Sequence, residues 1–158
     1  MYRPRIRVFG GFDVVSVCGQ EAEWTSRKAR ELLKMLVAAR GSSTSREVFM
    51  HYLWPDEDPE LLGNRFAVAV NVIRRALDPK RLQPTQHYVQ TVGDSVRLNI
   101  RNLDIDLESF YALAGSHELE KRQAAARLYT GDLFSDEPYA DWAISIRERT
   151  RFLRDQLA

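Results

Sequence analysis

The sequence predicts an α+β fold in its first two thirds and an all-α segment after it. Three observations lead to this prediction. Residues 5–17 are rich in residues that favour β-strands, and three later segments place apolar residues at helical spacing. Residues 87–100 then form two short β-type runs that meet at Gly93-Asp94, a strong signal for a hairpin turn.

Length and composition indicate an ordinary globular protein. The 158 residues can form one domain, or a small domain and part of another. The chain has no long apolar run and no signal-peptide core, so we expect a cytoplasmic protein without a membrane partner. Its single cysteine, Cys18, excludes an internal disulfide and is most simply a small core residue.

The sequence shows no motif of an enzyme or a metalloprotein. His51, His87 and His117 are widely separated and share no spacing typical of metal ligands. A phosphate-binding glycine loop and a nucleophile–histidine arrangement are also missing from the sequence. We therefore predict that the protein is not an enzyme and needs no cofactor or metal.

Charge divides the chain into two parts. Residues 1–103 contain 16 Lys and Arg against 11 Asp and Glu, whereas residues 104–158 contain 7 against 11. A basic part followed by an acidic part predicts two domains, 1–103 and 104–158, with different partners.

The N-terminal part begins with strands and an amphipathic helix. Residues 5–17 predict two short antiparallel strands with a break at Gly10-Gly11. Residues 27–39 predict the first helix, which Gly41 ends. Its buried stripe comprises Ala29, Leu32, Leu33, Leu36 and Val37.

Capping signals define two further helices. Thr44 to Glu47 fits a capping box, so a second helix should run to about Trp54, where Pro55 stops it. Asp58 should cap a third helix, 59–77, with a proline in its first turn. A hairpin of strands 87–92 and 95–100 follows. Strand pair, three helices and a hairpin in this order predict a winged helix-turn-helix with the hairpin as the wing.

The third predicted helix has two contrasting faces. Leu62, Phe66, Val70, Ile73 and Leu77 form one apolar stripe. The opposite face lacks acidic residues and combines basic, amide and small apolar groups, which are the side chains that neutralise phosphates, pair with bases and contact thymine methyls. These outer residues are Asn64, Arg65, Val68, Asn71, Val72 and Arg75.

Two other interpretations of this helix stay open. It could be buried on both sides between two layers of the fold. Alternatively, the protein could be a helical-repeat interaction module whose winged helix binds protein instead of DNA.

Several strings together resemble a known family. RIRVFGGFDV, SRKARELLKMLV, SREVFMHYLWPD, NVIRRALDP and QTVGDSVRL occur in the order found in the DNA-binding domain of SARP transcriptional activators, a branch of the OmpR-type winged helices. LDIDLESFYALAG and PYADWAISIRERTRFL resemble the start of the bacterial transcriptional activation domain that follows it in that family.

The resemblance implies roles for individual residues. It places Asn64, Arg65, Val68, Asn71 and Arg74 against DNA, with Arg74 at the edge as a phosphate contact. Asn71 and Val72 depart from the S-R-L-R-R string of many relatives, and the wing tip Gly93-Asp94-Ser95 lacks an arginine. Thr91 and Arg97 beside the tip, and Ser45 and Arg46 at the start of the second helix, remain candidates for phosphate contacts.

The acidic part predicts three helices: 107–113, 119–129, and a third that starts at Pro138 and is still running at Ala158. Ala124-Ala125-Ala126 suits the close helix packing of tetratricopeptide-like repeats, which need neighbouring repeats to bury their core. We therefore expect either a natural short regulator or, in preference, a fragment of a longer activator cut inside the helical domain. The resemblance implies promoter DNA with tandem direct repeats and the RNA polymerase holoenzyme as partners, and a homodimer on DNA is a further option.

Overall fold

The computed structural model describes residues 2–157, which divide into two compact units. The first unit comprises residues 2–5 and Val14–Leu103, and the second comprises Ile6–Asp13 and residues 104–157. This division differs from a single boundary after residue 103, because a short segment near the N-terminus belongs with the second unit.

Short strands and six α-helices alternate along the described residues. The elements up to the wing are β1 (Arg5–Arg7), β2 (Asp13–Val15), α1 (Arg27–Ala38), β3 (Thr44–Ser45), α2 (Arg46–Leu53), α3 (Pro59–Leu77), β4 (Val89–Val92) and β5 (Ser95–Leu98). After a 3-10 turn at Ile100–Asn102 come β6 (Asp104–Ile105), α4 (Asp106–Ala114), α5 (Leu119–Leu128) and α6 (Asp141–Asp155). The strands form two three-stranded sheets, in the orders β2-β1-β6 and β3-β5-β4.

The core of the first unit lies where α1, α2 and α3 pack together. Ser26 caps α1 by accepting a hydrogen bond from the Ala29 N–H, as its position before the apolar stripe allows. Leu32 and Leu33 are fully buried, and the chain leaves the helix through Gly41, whose φ of 82° suits a residue without a Cβ. The predicted helix 27–39 is therefore confirmed to within one residue.

The start of α2 differs from the predicted capping box. Ser45 is the N-cap and accepts a hydrogen bond from the Glu47 N–H. Thr44 instead lies in β3, opposite Val96 of the wing. The prediction for Thr44 fails because the neighbouring sheet edge engages its backbone, which a reading of local sequence cannot detect.

Helix α3 has the predicted bounds, because both of its end signals are local. The Asp58 carboxylate accepts the Glu60 N–H at the N-terminus, and Pro59 occupies the first turn. At the other end, the Asp78 N–H donates to the Arg74 carbonyl. The Asp78 carboxylate accepts the N–H groups of Leu82 and Gln83, which fixes the loop after the helix.

The wing is an antiparallel hairpin with a third, short strand beside it. In β4 and β5, Val89 lies opposite Leu98 and Thr91 lies opposite Val96. The turn uses Gly93 at a φ of 58°, a conformation that glycine adopts without strain. The three helices and this hairpin form a winged helix-turn-helix, as the sequence predicts.

The second unit incorporates the segment Ile6–Asp13 through a buried carboxylate. Asp106, the first residue of α4, accepts hydrogen bonds from the Val8 N–H and the Phe9 N–H. Burial raises the pKa of the Asp106 carboxyl above its ordinary value, while these two donors oppose the rise. The Phe9 ring also packs edge-on against Phe110, with centroids 5.1 Å apart.

The last helix starts later than predicted. The prediction began it at Pro138, but α6 begins at Asp141 and ends at Asp155. The side chain of Arg147 explains the delay, because it donates to the backbone carbonyls of Leu133, Phe134, Glu137 and Pro138 and holds this segment as a turn. The predicted continuation of the helix to Ala158 lies outside the described residues. No helix within residues 2–157 is long and apolar enough to cross a membrane.

Candidate nucleic-acid interface

The two faces of α3 differ sharply in exposure. Leu62, Phe66, Val70, Ile73 and Leu77 are all buried, with at most 6% of their surface exposed. The opposite side is open, and from Leu61 to Leu77 it contains no acidic residue. Its exposed members are Asn64, Arg65, Ala67, Val68, Asn71 and Arg75. This surface therefore combines basic, amide and small apolar side chains, which are types that can contact bases in the major groove of DNA.

Arg65 and Asn71 lie on this open side with different surroundings. Arg65 keeps about half of its side chain exposed, and its Nε lies 3.7 Å from a carboxylate oxygen of Glu57 in the loop before the helix. The Glu57 side chain is 26% exposed, and a partly exposed ion pair of this length contributes little to stability. Asn71 is exposed and lies between one and two turns further along the helix.

Arg74 occupies a different position from the one expected of a phosphate contact. It is half-buried, and its Nη2 donates to the Val89 carbonyl at 2.9 Å and contacts the Thr91 hydroxyl oxygen at 3.4 Å. Burial lowers the pKa of the Arg74 guanidinium. Its Nε is buried and has no hydrogen-bond partner among residues 2–157. The described contacts therefore direct Arg74 toward the wing strand, where it connects α3 to β4.

The two valines of the outer face separate in the structure. Val68 is 54% exposed on the open side. Val72 is half-buried and lines a cavity of about 480 Å³ together with the segment 16–25. Val72 is thus less exposed than the helical wheel predicts, because a helical wheel does not report which segments lie beside the helix.

The start of α2 carries a contact between helix and wing. The Arg46 N–H donates to the Asp94 carbonyl at 2.7 Å, and the Arg46 guanidinium lies 3.5 Å from the Asp94 carboxylate. The Ser45 hydroxyl is engaged as the helix cap. The carboxylate of the wing tip thus occupies the position beside Arg46 where the sequence predicts a phosphate.

The two candidates on the wing are also placed differently. Thr91 is half-buried, its N–H donates to the Gln86 side-chain oxygen, and its hydroxyl accepts from the Gln86 amide. Arg97 is half-exposed on β5, opposite Gln90. Arg97 remains a candidate for a phosphate contact, whereas Thr91 primarily joins the wing to the preceding loop.

Sequence reasoning missed Arg81 in that loop. Arg81 lies outside every predicted helix and strand, so the sequence pattern gives no signal for it. In the structure, Arg81 lines a cavity with both of them at the C-terminal end of α3.

Part of the chain is similar to a known family of domains. Residues 19–95 match the family model for the C-terminal domain of transcriptional regulatory proteins. The matched stretch contains α1, α2, α3 and most of the wing. This family match supports the assignment of the protein as a DNA-binding transcriptional regulator.

A solved structure provides a second comparison. Mycobacterium tuberculosis EmbR, determined in complex with a low-affinity phosphopeptide, is similar with a TM-score of 0.70 at 19% sequence identity. The match covers 98% of this chain and 45% of the EmbR chain, so this chain spans less than half of that protein's length. No curated protein sequence matches. At this identity the likeness to EmbR shows the fold alone, including the winged helix.

Proposed function

We propose that the protein is a sequence-specific DNA-binding transcriptional regulator whose helix α3, residues 59–77, enters the major groove. One observation carries the proposal. The side of α3 opposite its buried stripe is exposed and free of acidic residues over four turns, and it combines arginines and asparagines with a small apolar side chain. A solvated helix face would be expected to mix charges of both signs.

Within this proposal, the residues divide by what they contact. Arg65 and Asn71 project from the exposed side and read bases, with Asn64 and Val68 beside them. Arg75 lies in the last turn and holds a phosphate.

Three groups outside the exposed side of α3 also have a proposed role. Arg46 and Ser45 lie at the start of α2, and Arg97 lies on the wing, where all three can contact the backbone of the duplex. Arg74 and Thr91 act indirectly, because their hydrogen bonds fix the orientation of the wing relative to α3.

The finer proposal is an activator of the SARP type. It would bind tandem direct repeats at a promoter, alone or as a homodimer, and recruit the RNA polymerase holoenzyme. The winged-helix part, 1–103, would bind DNA, and residues 104–158 would be the start of a tetratricopeptide-like bacterial transcriptional activation domain. The excess of acidic residues after residue 103 supports this division of roles, because negative charge disfavours contact with phosphates.

Selection of bound sequences from a random DNA pool tests the proposal. The wild-type protein should enrich one motif, and the N71A variant should enrich a motif that is relaxed at one position. Gln123→Ala provides a matched control, because Gln123 is an exposed amide on α5 in the second unit. A wild-type protein that enriches no motif would refute sequence-specific binding.

A second candidate function is binding of a protein by the winged helix. The wing tip favours it: Val92 is 76% exposed, and the Asp94 side chain is 82% exposed and acidic. An apolar and acidic tip is unsuited to a DNA backbone. Retention of a partner protein by the wild type, lost on Val92→Ser, together with no salt-dependent binding to mixed duplex DNA, would favour this candidate.

A further inference from the structure

A cavity of about 340 Å³ lies at the C-terminal end of α3, between the last turns of the helix and the loop that leads to the wing. Asn71, Arg74, Arg75, Asp78, Arg81 and Tyr88 are among the residues that line it. All of them belong to the first unit. Since Asn71 also belongs to the exposed side of α3, the cavity opens next to the proposed base-reading surface.

The charge of this cavity is strongly positive. Three of the lining side chains are arginines, and the acidic one is Asp78. The Asp78 carboxylate already accepts the N–H groups of Leu82 and Gln83, both at 2.9 Å. Two of the arginines, Arg75 and Arg81, are exposed, and within residues 2–157 their guanidinium groups form no ion pair or hydrogen bond. Among the described residues, two exposed arginine side chains without a polar partner therefore line a cavity in which the one acidic side chain, Asp78, already accepts two backbone N–H groups.

The walls around these cations are fixed. Arg74 is held by the Val89 carbonyl, so its positive charge stays at the cavity wall. Arg81 has a φ of 52°, in the left-handed region, and its N–H approaches the Asp78 carbonyl at 3.3 Å. The loop is thus ordered by Asp78 before any ligand binds, which reduces the entropy that binding must overcome.

We propose that Arg75 and Arg81, with Arg74 behind them, bind a phosphate group in this cavity. Guanidinium groups form paired hydrogen bonds with phosphate oxygens, and two of them can surround one phosphate. The phosphate could come from the DNA backbone beside the base read by Asn71, or from a free phosphorylated small molecule. Binding of a phosphate of the DNA backbone rests on the proposed function. It would extend the DNA contact to Arg81, in the loop after α3.

Salt-dependent DNA binding tests the first source. Dissociation constants of the full chain for a duplex of selected sequence are measured between 50 and 200 mM KCl. One lost phosphate contact should make the negative slope of log association constant against log salt shallower by about 0.9, which weakens binding roughly eightfold at 0.1 M. We expect this change in R81Q and a smaller one in R81K. K80Q is the matched control, because Lys80 is exposed in the same loop and does not line the cavity.

Thermal stability in inorganic phosphate or a nucleoside monophosphate tests the second source. If either anion raises the Tm of the wild type and K80Q more than that of R81Q, while the DNA slope is the same in all three, the site holds a free phosphorylated molecule. The proposal is overturned if R81Q matches K80Q in both measurements. A wild type that binds no DNA but is stabilised by phosphate would refute the proposed function and leave the phosphate site intact.

Discussion

Replacing Asp94 by Asn at the wing tip should strengthen DNA binding. In the structure, the Asp94 carboxylate lies 3.5 Å from the Arg46 guanidinium, at the start of α2. The Asp94 carboxylate therefore neutralises the Arg46 guanidinium, which we propose binds a DNA phosphate, and it would repel that phosphate. The Arg46 N–H donates to the backbone carbonyl of Asp94, so the substitution leaves this hydrogen bond in place.

The structure indicates how much the substitution should change the stability of the protein and its affinity for DNA. The Asp94 side chain is 82% exposed, and an exposed ion pair contributes about 0–1 kcal/mol, so the Tm should change little. The freed Arg46 can neutralise one additional phosphate. This should steepen the slope of log K against log salt by about 0.9 and tighten binding up to roughly eightfold at 0.1 M salt.

Fluorescence anisotropy with a labelled duplex, between 50 and 200 mM KCl, measures the slope and the affinity together. Glu120→Gln is the control, because it changes the net charge equally at an exposed site in the second unit. If D94N binds DNA no more tightly than E120Q and shows the same slope, then the start of α2 does not contact a phosphate. The reasoning about Arg46 would then be wrong.

Three further predictions follow from individual side chains. Asn71→Ala should cost about 1–3 kcal/mol of binding free energy on the best site and little on random DNA, and equal losses on both would contradict its role in base reading. Val72→Ser should lower the unfolding free energy by ~1 kcal/mol or more, because Val72 is half-buried. Val68→Ser should leave the melting curve unchanged and weaken only specific DNA binding, because Val68 is exposed. A larger loss of stability in Val68→Ser than in Val72→Ser would contradict the placement of the two valines. Asp132 accepts a hydrogen bond from Arg151, which lowers its pKa from 3.8 to about 2, so its contribution to stability is present above pH 3.8 and is lost as the pH falls through about 2. Acid titration monitored by circular dichroism should therefore show a shallower loss of stability at low pH in R151Q than in the wild type. Parallel curves would refute a contribution of the Asp132–Arg151 hydrogen bond.

The sequence allowed the helices of the winged domain to be predicted because their signals are local. Asp58, Pro59 and the Asp78-Pro79 pair mark the ends of α3 within a few residues of the helix itself. The buried stripe from Leu62 to Leu77 follows from helical period alone, and the structure confirms it.

The parts that could not be predicted depend on contacts between distant residues. The helical wheel places Val72 and Arg74 correctly around the axis of α3, but the segment 16–25 and the strand β4 decide that neither is fully exposed. The start of α6 depends in the same way on Arg147, nine residues beyond Pro138. The individual DNA contacts at Asn64, Arg65, Val68, Asn71 and Arg75 stay predictions.

The incorporation of Ile6–Asp13 into the second unit has a consequence for how the protein is made. Val8 and Phe9 leave the ribosome before Asp106, whose carboxylate receives their N–H groups and is synthesised roughly a hundred residues later, about 5–20 s at typical rates. During that interval the apolar side chains of the segment are without their native cover. Since closing such a long loop is slow compared with forming the local helices, we expect the N-terminal segment to join the folded protein last.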